Sequence, residues 1–299
     1  MDPQRQDRGL RCGPAAGRRT AVAGRRGVSA GAPPAGVVAS LYRHRGLVGV
    51  LVARDLKARY RGTFLGYLWS LLNPLLLLAV YAAVFTWVIP ARATSNVPYP
   101  IFLFAGLLPW LFGSGALLDS AIVLADNGPL LRKVVCPPEV FPAVTVLSHL
   151  VHHLLALPVL LAATAVAAGM GLVRFPWTVV LLPFALFLWV LAVGGLSLAV
   201  AALAVHFRDL KDLLHNVLNL AFFATPIIYT LDKIPVRLLR RLIEANPVTP
   251  LIEVYRDVVL LGVVPSLLLW AWAAAVALVF WLAGAWVFSR LRETIAETV

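Results

Sequence analysis

"RDLKARYRGTFLGYLWSLLNPLLLLAVYAAVF" (residues 54–85) sets a knot of positive charge against the start of a long apolar run. Arg54, Lys57, Arg59 and Arg61 come first, followed by Phe64, Leu65, Tyr67, Leu68 and Trp69. An Asn73-Pro74 pair lies inside the apolar part. From Phe64 onward the run has the roughly 20 residues that a helix needs to cross a bilayer. Its apolar residues are continuous rather than alternating, which argues against a membrane strand barrel. Lys and Arg crowded at one end of such a span mark the cytoplasmic side.

The whole chain has the same character. Of its 299 residues, 61% are hydrophobic and 13% charged, with a mean hydropathy of +0.86. Soluble domains carry about 45–50% apolar and about 25% charged residues, so this is an all-α integral membrane protein. The apolar runs predict six spans, at 64–89, 99–124, 140–169, 176–205, 214–231 and 265–288. An even number places both termini on one side, and the basic N-terminus makes that side cytoplasmic. The net charge is +12, and half of the 26 Lys and Arg precede residue 62. Because this charge borders a span, orientation in the inner membrane explains it better than nucleic-acid binding. Residues 1–37, rich in Arg, Gly, Ala and Pro, lack the apolar core of a signal peptide and read as a disordered cytoplasmic tail.

"DKIPVRLLRRLIEANPVTPLIEVYRD" (232–257) runs against the charge pattern. It would lie outside, yet it carries Lys233, Arg237, Arg240, Arg241 and Arg256, nearly balanced by Asp232, Glu244, Glu253 and Asp257. Pro235, Pro247 and Pro250 break any continuous helix. Leu238, Leu239, Leu242 and Ile243 suit one short amphipathic helix, and Leu251, Ile252 and Tyr255 a second. The segment 232–260 therefore reads as two short helices re-entering the outer leaflet. Such backbone survives at membrane depth only against protein or a wet cavity.

Upstream, 41–61 reads as a helix on the inner surface. Arg43, Arg54, Lys57 and Arg61 share one face, and Val48, Val52, Leu56 and Tyr60 another, with Arg45 and Arg59 among the apolar positions. The pattern fits a surface helix held by anionic membrane lipid or a docking helix for a cytoplasmic partner.

The spans offer no catalytic set. No phosphate-binding loop is present, because "GPAAGRRT" (13–20) has the wrong glycine spacing and no Lys. Asp119 is the one clear acid within a span, too little for an ion relay. His149 and His153 lie four apart on one helix face, as paired metal ligands do, but no carboxylate or thiol lies near them in sequence. Packed, hydrogen-bonded histidines are the plainer reading. Cys12 and Cys136 both fall in cytoplasmic segments, where a disulfide is not expected. Energy for transport must then come from a separate ATPase, with no cofactor in this chain and ATP and Mg in the partner.

Three ordered stretches carry a family resemblance: 54–85, "FRDLKDLLHNVLNLAFFATPIIYTLDKIP" (207–235) and "NPVTPLIEVYRDVVL" (246–260). The chain resembles, over roughly 41–290, the membrane subunit of type-two ABC exporters for polysaccharides, the permeases for O-antigen, teichoic acid and related lipid-linked glycans. The resemblance implies a homodimer of six-helix subunits with a channel along its axis and two cytoplasmic ATPase subunits beneath. It assigns ATPase docking to the interface helix 41–61, with Arg54, Asp55, Lys57, Tyr60 and Arg61. The loop "DNGPLLRKVVCPPEVFP" (126–142) adds Asn127, Leu130, Leu131, Arg132 and Lys133. The family tends to have an aromatic before its loop proline, and Cys136 stands there instead. The alternatives are a type-two permease for a drug or small lipid and a membrane-embedded glycosyl or acyl transferase.

Aromatic rings stack on the C–H faces of sugars while leaving hydroxyls to water, so the channel-lining candidates are Tyr67, Trp69, Tyr81, Phe85, Phe222, Phe223 and Tyr229. For tryptophans at span ends the interfacial aromatic belt is the plainer reading. Arg237, Arg240, Arg241, Glu244 and Arg256 of the outer gate face pyrophosphate or anionic lipid heads, or are solvated surface or internal ion pairs. Pro74 removes one backbone hydrogen bond and reads as a hinge or a static kink.

Overall fold

The computed structural model describes residues 34–60, 62, 68–88, 97–133, 136–174, 176–207 and 209–298. Arg61, Tyr67 and most of the predicted tail lie outside these residues, as do the side chains of Tyr60, Arg132 and Lys133. The described residues form helices joined by turns, with no strand among them.

Among the described residues, four helices are long and apolar enough to cross a membrane: α4 (Tyr99–Asp126), α6 (Val140–Gly169), α7 (Leu182–Ala204, entered through a 3₁₀ turn at Trp177–Leu181) and α11 (Leu267–Thr298). Their starts fall where the apolar runs begin. Pro100 near the start of α4 and Pro183 near the start of α7 occupy first-turn positions, where the missing N–H costs nothing.

The two other predicted spans are shorter. α3 (Trp69–Ala83) continues through a π-helical turn at Val84–Val88, and α8 (Leu210–Ala224) has only 15 residues. At 1.5 Å per residue α8 covers about 22 Å, short of a hydrocarbon core of about 30 Å. It stops because Pro226 disfavours helical backbone at the residue before it. Thr225 is extended, with φ −110° and ψ 141°. The predicted span 214–231 is therefore displaced toward its N-terminus.

α4 is the central helix. The apolar core that it nucleates includes Phe102, Phe104, Leu108 and Phe112, packed on Leu157 and Leu160 of α6, Trp189 of α7, and Ile252 and Tyr255 of α10 (Thr249–Arg256). α7 and α11 are the most closely joined pair. A Cβ on Gly195 or Gly284 would collide with the backbone of the other helix, so the two small residues set the close approach. The outer face of α11 leaves Leu267, Leu268 and Val279 exposed, the apolar surface expected toward lipid.

At the N-terminal side, the stretch 41–61 read as one helix belongs to two. α1 (Pro34–Arg43) begins inside the stretch read as tail, and α2 (Arg45–Tyr60) follows a turn at His44. His44 Nδ1 lies 2.8 Å from the Ser40 carbonyl at that turn. Val37 of α1 is buried with Leu124, Phe141 and Phe288, which ties α1 to the ends of the long helices. Val48 and Leu51 of α2 are buried against Val140 and Val144 of α6, while Arg43, Arg54 and Lys57 are exposed. Of the predicted apolar positions Val48 is buried and Val52 and Leu56 are half-buried, with Leu51 buried beside them, while Val50 on the same helix is exposed.

Between α8 and α11 lie α9 (Arg237–Glu244), α10 and a π-helical turn at Asp257–Leu261 that Gly262 ends in left-handed conformation, φ 64°. α9 buries only Ile243 and leaves Leu238, Leu239 and Leu242 open. α10 is buried along almost its whole length.

Candidate functional site

Two of the predicted docking residues meet at the end of α4. Arg54 Nη2 donates to Asn127 Oδ1 at 3.2 Å, so two residues read separately as partner contacts hold each other. Asn127 caps the end of α4, its Nδ2 donating to the Val123 carbonyl at 2.8 Å. It joins α4 to a short helix, α5 (Gly128–Lys133), which carries Leu130 and Leu131, both half-buried. Lys57 remains exposed.

Arg59 is the residue that sequence reasoning left out of the site. It sits among the apolar positions of α2 because it faces the bundle. Its Nη2 donates to Asp119 Oδ2 at 2.7 Å and its Nε to Asp55 Oδ2 at 3.1 Å. Burial works against the Arg59 charge. The hydrogen bond to Asp119, then the Asp55 and Asp119 charges, outweigh burial and raise the guanidinium above its ordinary value. His149 of α6 completes the junction, its Nε2 lying 2.8 Å from Asp119 Oδ2. A Cβ on Gly115 would meet the His149 ring at 2.7 Å, so that glycine makes the room for it. The carboxylate missing near His149 in sequence is supplied across space by Asp119. No cluster of three or more His, Cys, Asp or Glu suited to a metal occurs among the described residues.

The loop after α5 returns through Cys136-Pro137-Pro138 to Glu139, which is buried at 1% exposure. Arg292 of α11 pairs with it, with Nη2 at 3.4 Å from Oε1. Burial, then the Glu139 charge, push the Cys136 thiol up.

At the opposite end of α4 the aromatic candidates separate into two groups. Tyr81 and Phe85 of the first span stack in a run with Tyr99 and Phe102, at centroid distances of 6.3, 4.4 and 6.1 Å. Phe222 packs on Trp110 at 6.0 Å, and Phe223 stands edge-on to it at 5.2 Å. Phe223 and Tyr229 line an open, largely apolar groove of about 610 Å³ with Lys233, Leu239, Leu242 and Asn246. Tyr229 Oη donates to the Phe223 carbonyl at 2.8 Å. Trp69 begins α3, and Pro74 lies within it. Pro109 and Pro158 lie inside α4 and α6 in the same way, so internal proline does not single out the first span.

The outer-gate charges do not share one environment. Arg237 and Arg241 are exposed. Arg240 is exposed and donates from Nε to Glu244 Oε1 at 2.8 Å, with Asp232 at 3.8 Å. Arg256 is 5% exposed and belongs to the interior. Its Nη1 and Nη2 donate to the carbonyls of Pro226 and Ile227 at 2.9 and 3.0 Å, and its guanidinium lies 4.0 Å from the centroid of the Phe102 ring. Any Cβ on Gly106 would collide with Arg256 Nη2. Arg256 therefore pins the broken end of α8 onto α10 and α4, and is not placed to receive a headgroup.

Residues 46–260 match the family model described as ABC-2 type transporter. The chain belongs to the ABC-2 type transporter family. Among its relatives, the O-antigen export system permease protein RfbA of Myxococcus xanthus is 38% identical over 266 residues, covering 88% of this chain and 99% of that protein. A protein of the same name from Klebsiella pneumoniae is 31% identical over 72% of this chain and 81% of its own length. The polysialic acid transport protein KpsM of Escherichia coli is 24% identical over the same shares. With four long apolar helices, this ABC-2 chain is a multi-pass membrane protein.

Proposed function

We propose that this chain is the permease subunit of an ATP-driven exporter that moves a lipid-linked polysaccharide, such as O-antigen, from the cytoplasmic side across the inner membrane. The observation that carries this reading is the 38% identity to an O-antigen export permease along 99% of its length. That relative's name favours a polysaccharide over a drug or small lipid.

On this reading α3 with its π-helical turn, and α8 with the chain after it, complete a six-span subunit whose termini are cytoplasmic. Two copies enclose the channel, and two ATPase subunits carrying ATP and Mg dock at α2 and α5, with Arg54, Asp55, Lys57, Asn127, Leu130 and Leu131 as the contacts offered to them. Tyr81, Phe85, Phe223 and Tyr229 supply ring faces for sugars. α9 and α10 form the outer closure, and Pro74 lets the first span bend when α2 is displaced.

Copurification with an ABC ATPase subunit coexpressed from the same organism, followed by ATP hydrolysis with and without a lipid-linked glycan, tests the reading. Stable association and glycan-stimulated hydrolysis are expected. A purified chain that binds no ATPase and leaves surface polysaccharide intact when its gene is deleted would overturn it.

A further inference from the structure

Two of the three histidines of α6, His149 and His153, are not absorbed by docking, channel or gate, yet each makes a polar contact to a different helix. They are one helical turn apart, about 6 Å along α6, and share a face. His149 meets Asp119 at 2.8 Å, and Asp119 holds Arg59 of α2. His153, buried at 3% exposure, receives the Tyr255 hydroxyl of α10 on Nε2 at 3.2 Å. Its Nδ1 lies 3.4 Å from the Leu108 carbonyl of α4. With Tyr255 O–H donating to Nε2, the ring proton falls to Nδ1 and is directed at Leu108, a tautomer assigned from the network. The Phe112 ring packs beside the imidazole at 5.7 Å between centroids.

Tyr255 is completely buried, so water cannot replace the bond from its hydroxyl to His153. The next residue is Arg256, whose guanidinium grips the end of α8 through Pro226 and Ile227. A single face of α6 therefore touches the arginine junction of α2 at one turn and the buried closure segment at the next. Phe104 of α4 and Leu157 and Leu160 of α6 lie in the same apolar core.

We propose that His149 and His153 are positioning residues that join the α2 junction to α10, so that α6 carries displacement of α2 to the outer closure. This rests on the permease reading above. α6 is the rigid element, and each histidine fixes one of its two ends of influence. The directional bonds matter because apolar packing alone lets helices slide past one another, whereas a bond from Tyr255 to His153 holds one register.

The test uses the complex with its ATPase in phospholipid nanodiscs. Cys12 and Cys136 are replaced by Ser, and an environment-sensitive fluorophore is placed at Leu242→Cys on the exposed face of α9. ATP with vanadate is expected to shift the emission. Tyr255→Phe removes one hydroxyl and keeps the ring, and His149→Leu removes the contact to Asp119. Each is expected to cut the shift by about fivefold, the low end of typical coupling between sites, while basal ATP hydrolysis stays within about twofold. His149→Gln, which keeps a donor for Asp119, is expected to restore most of the shift. A full shift in both Tyr255→Phe and His149→Leu overturns the proposal, as does a loss that His149→Gln does not repair. Failure of the permease reading itself shows differently: the unsubstituted chain then binds no ATPase and gives no ATP-dependent shift.

Discussion

Two arginines hold this bundle together at opposite ends of α4, and they do so in contrary ways. Arg256 is buried, donates to two backbone carbonyls, lies over an aromatic ring and has a glycine opposite it to admit its bulk. Arg59 has 32% of its side chain exposed and answers to two carboxylates, one on its own helix and one across the junction. Removing a buried charge that satisfies buried carbonyls leaves those carbonyls unpaired, at about 1–3 kcal/mol each. Breaking a half-exposed ion pair costs about 0–1 kcal/mol because water takes over. The first arrangement is suited to a joint that must not open. The second is suited to one that must re-form as an adjoining part moves. A transporter driven from one face needs both.

The contrast can be broken by substitution. Arg256→Ala is expected to destabilise the protein most, by about 3 kcal/mol, read as a large drop in the melting temperature of the detergent-solubilised chain. Gly106→Ala presses a methyl group against the same guanidinium and is expected to cost about 2 kcal/mol. The matched control, Gly169→Ala, has open space at its Cβ and is expected to melt like the parent. Asp119→Asn removes the charge that Arg59 and His149 share. It is expected to change stability by no more than about 1 kcal/mol and yet to lower polysaccharide export at the cell surface severalfold. A melting loss at Asp119 as large as that at Arg256 would erase the distinction between the two ends. Arg240→Ala, at an exposed ion pair of α9, is expected to leave the melting temperature unchanged.

The long helices were legible because a continuous apolar run of that length has few other fates. α6 begins and ends where its run of apolar residues does, and Pro235, Pro247 and Pro250 mark the short helices around them. What escaped was three-dimensional pairing. Asp119 appears in sequence as a lone acid, 60 residues from Arg59 and 30 from His149. The signal for Arg59 was its place on the apolar face of α2, which reads as imperfection until a carboxylate is found facing it. Arg256 reads as a lid charge because it follows Arg237, Arg240 and Arg241 in one segment, and those three are exposed. Its burial follows from α10, where Leu251, Ile252, Val254 and Tyr255 leave almost no solvent-facing side. The early end of α8 was written in Thr225-Pro226, but an apolar run that continues to Tyr229 disguises the change from helix to turn.

The central claim is that this chain is a conduit powered by another protein. Its most direct test is ATP-dependent movement of a lipid-linked polysaccharide across sealed inside-out membrane vesicles that contain the chain with or without its ATPase. The account predicts translocation only when chain, ATPase and ATP are all present. Translocation by the chain alone, or on an ion gradient without ATP, would contradict it.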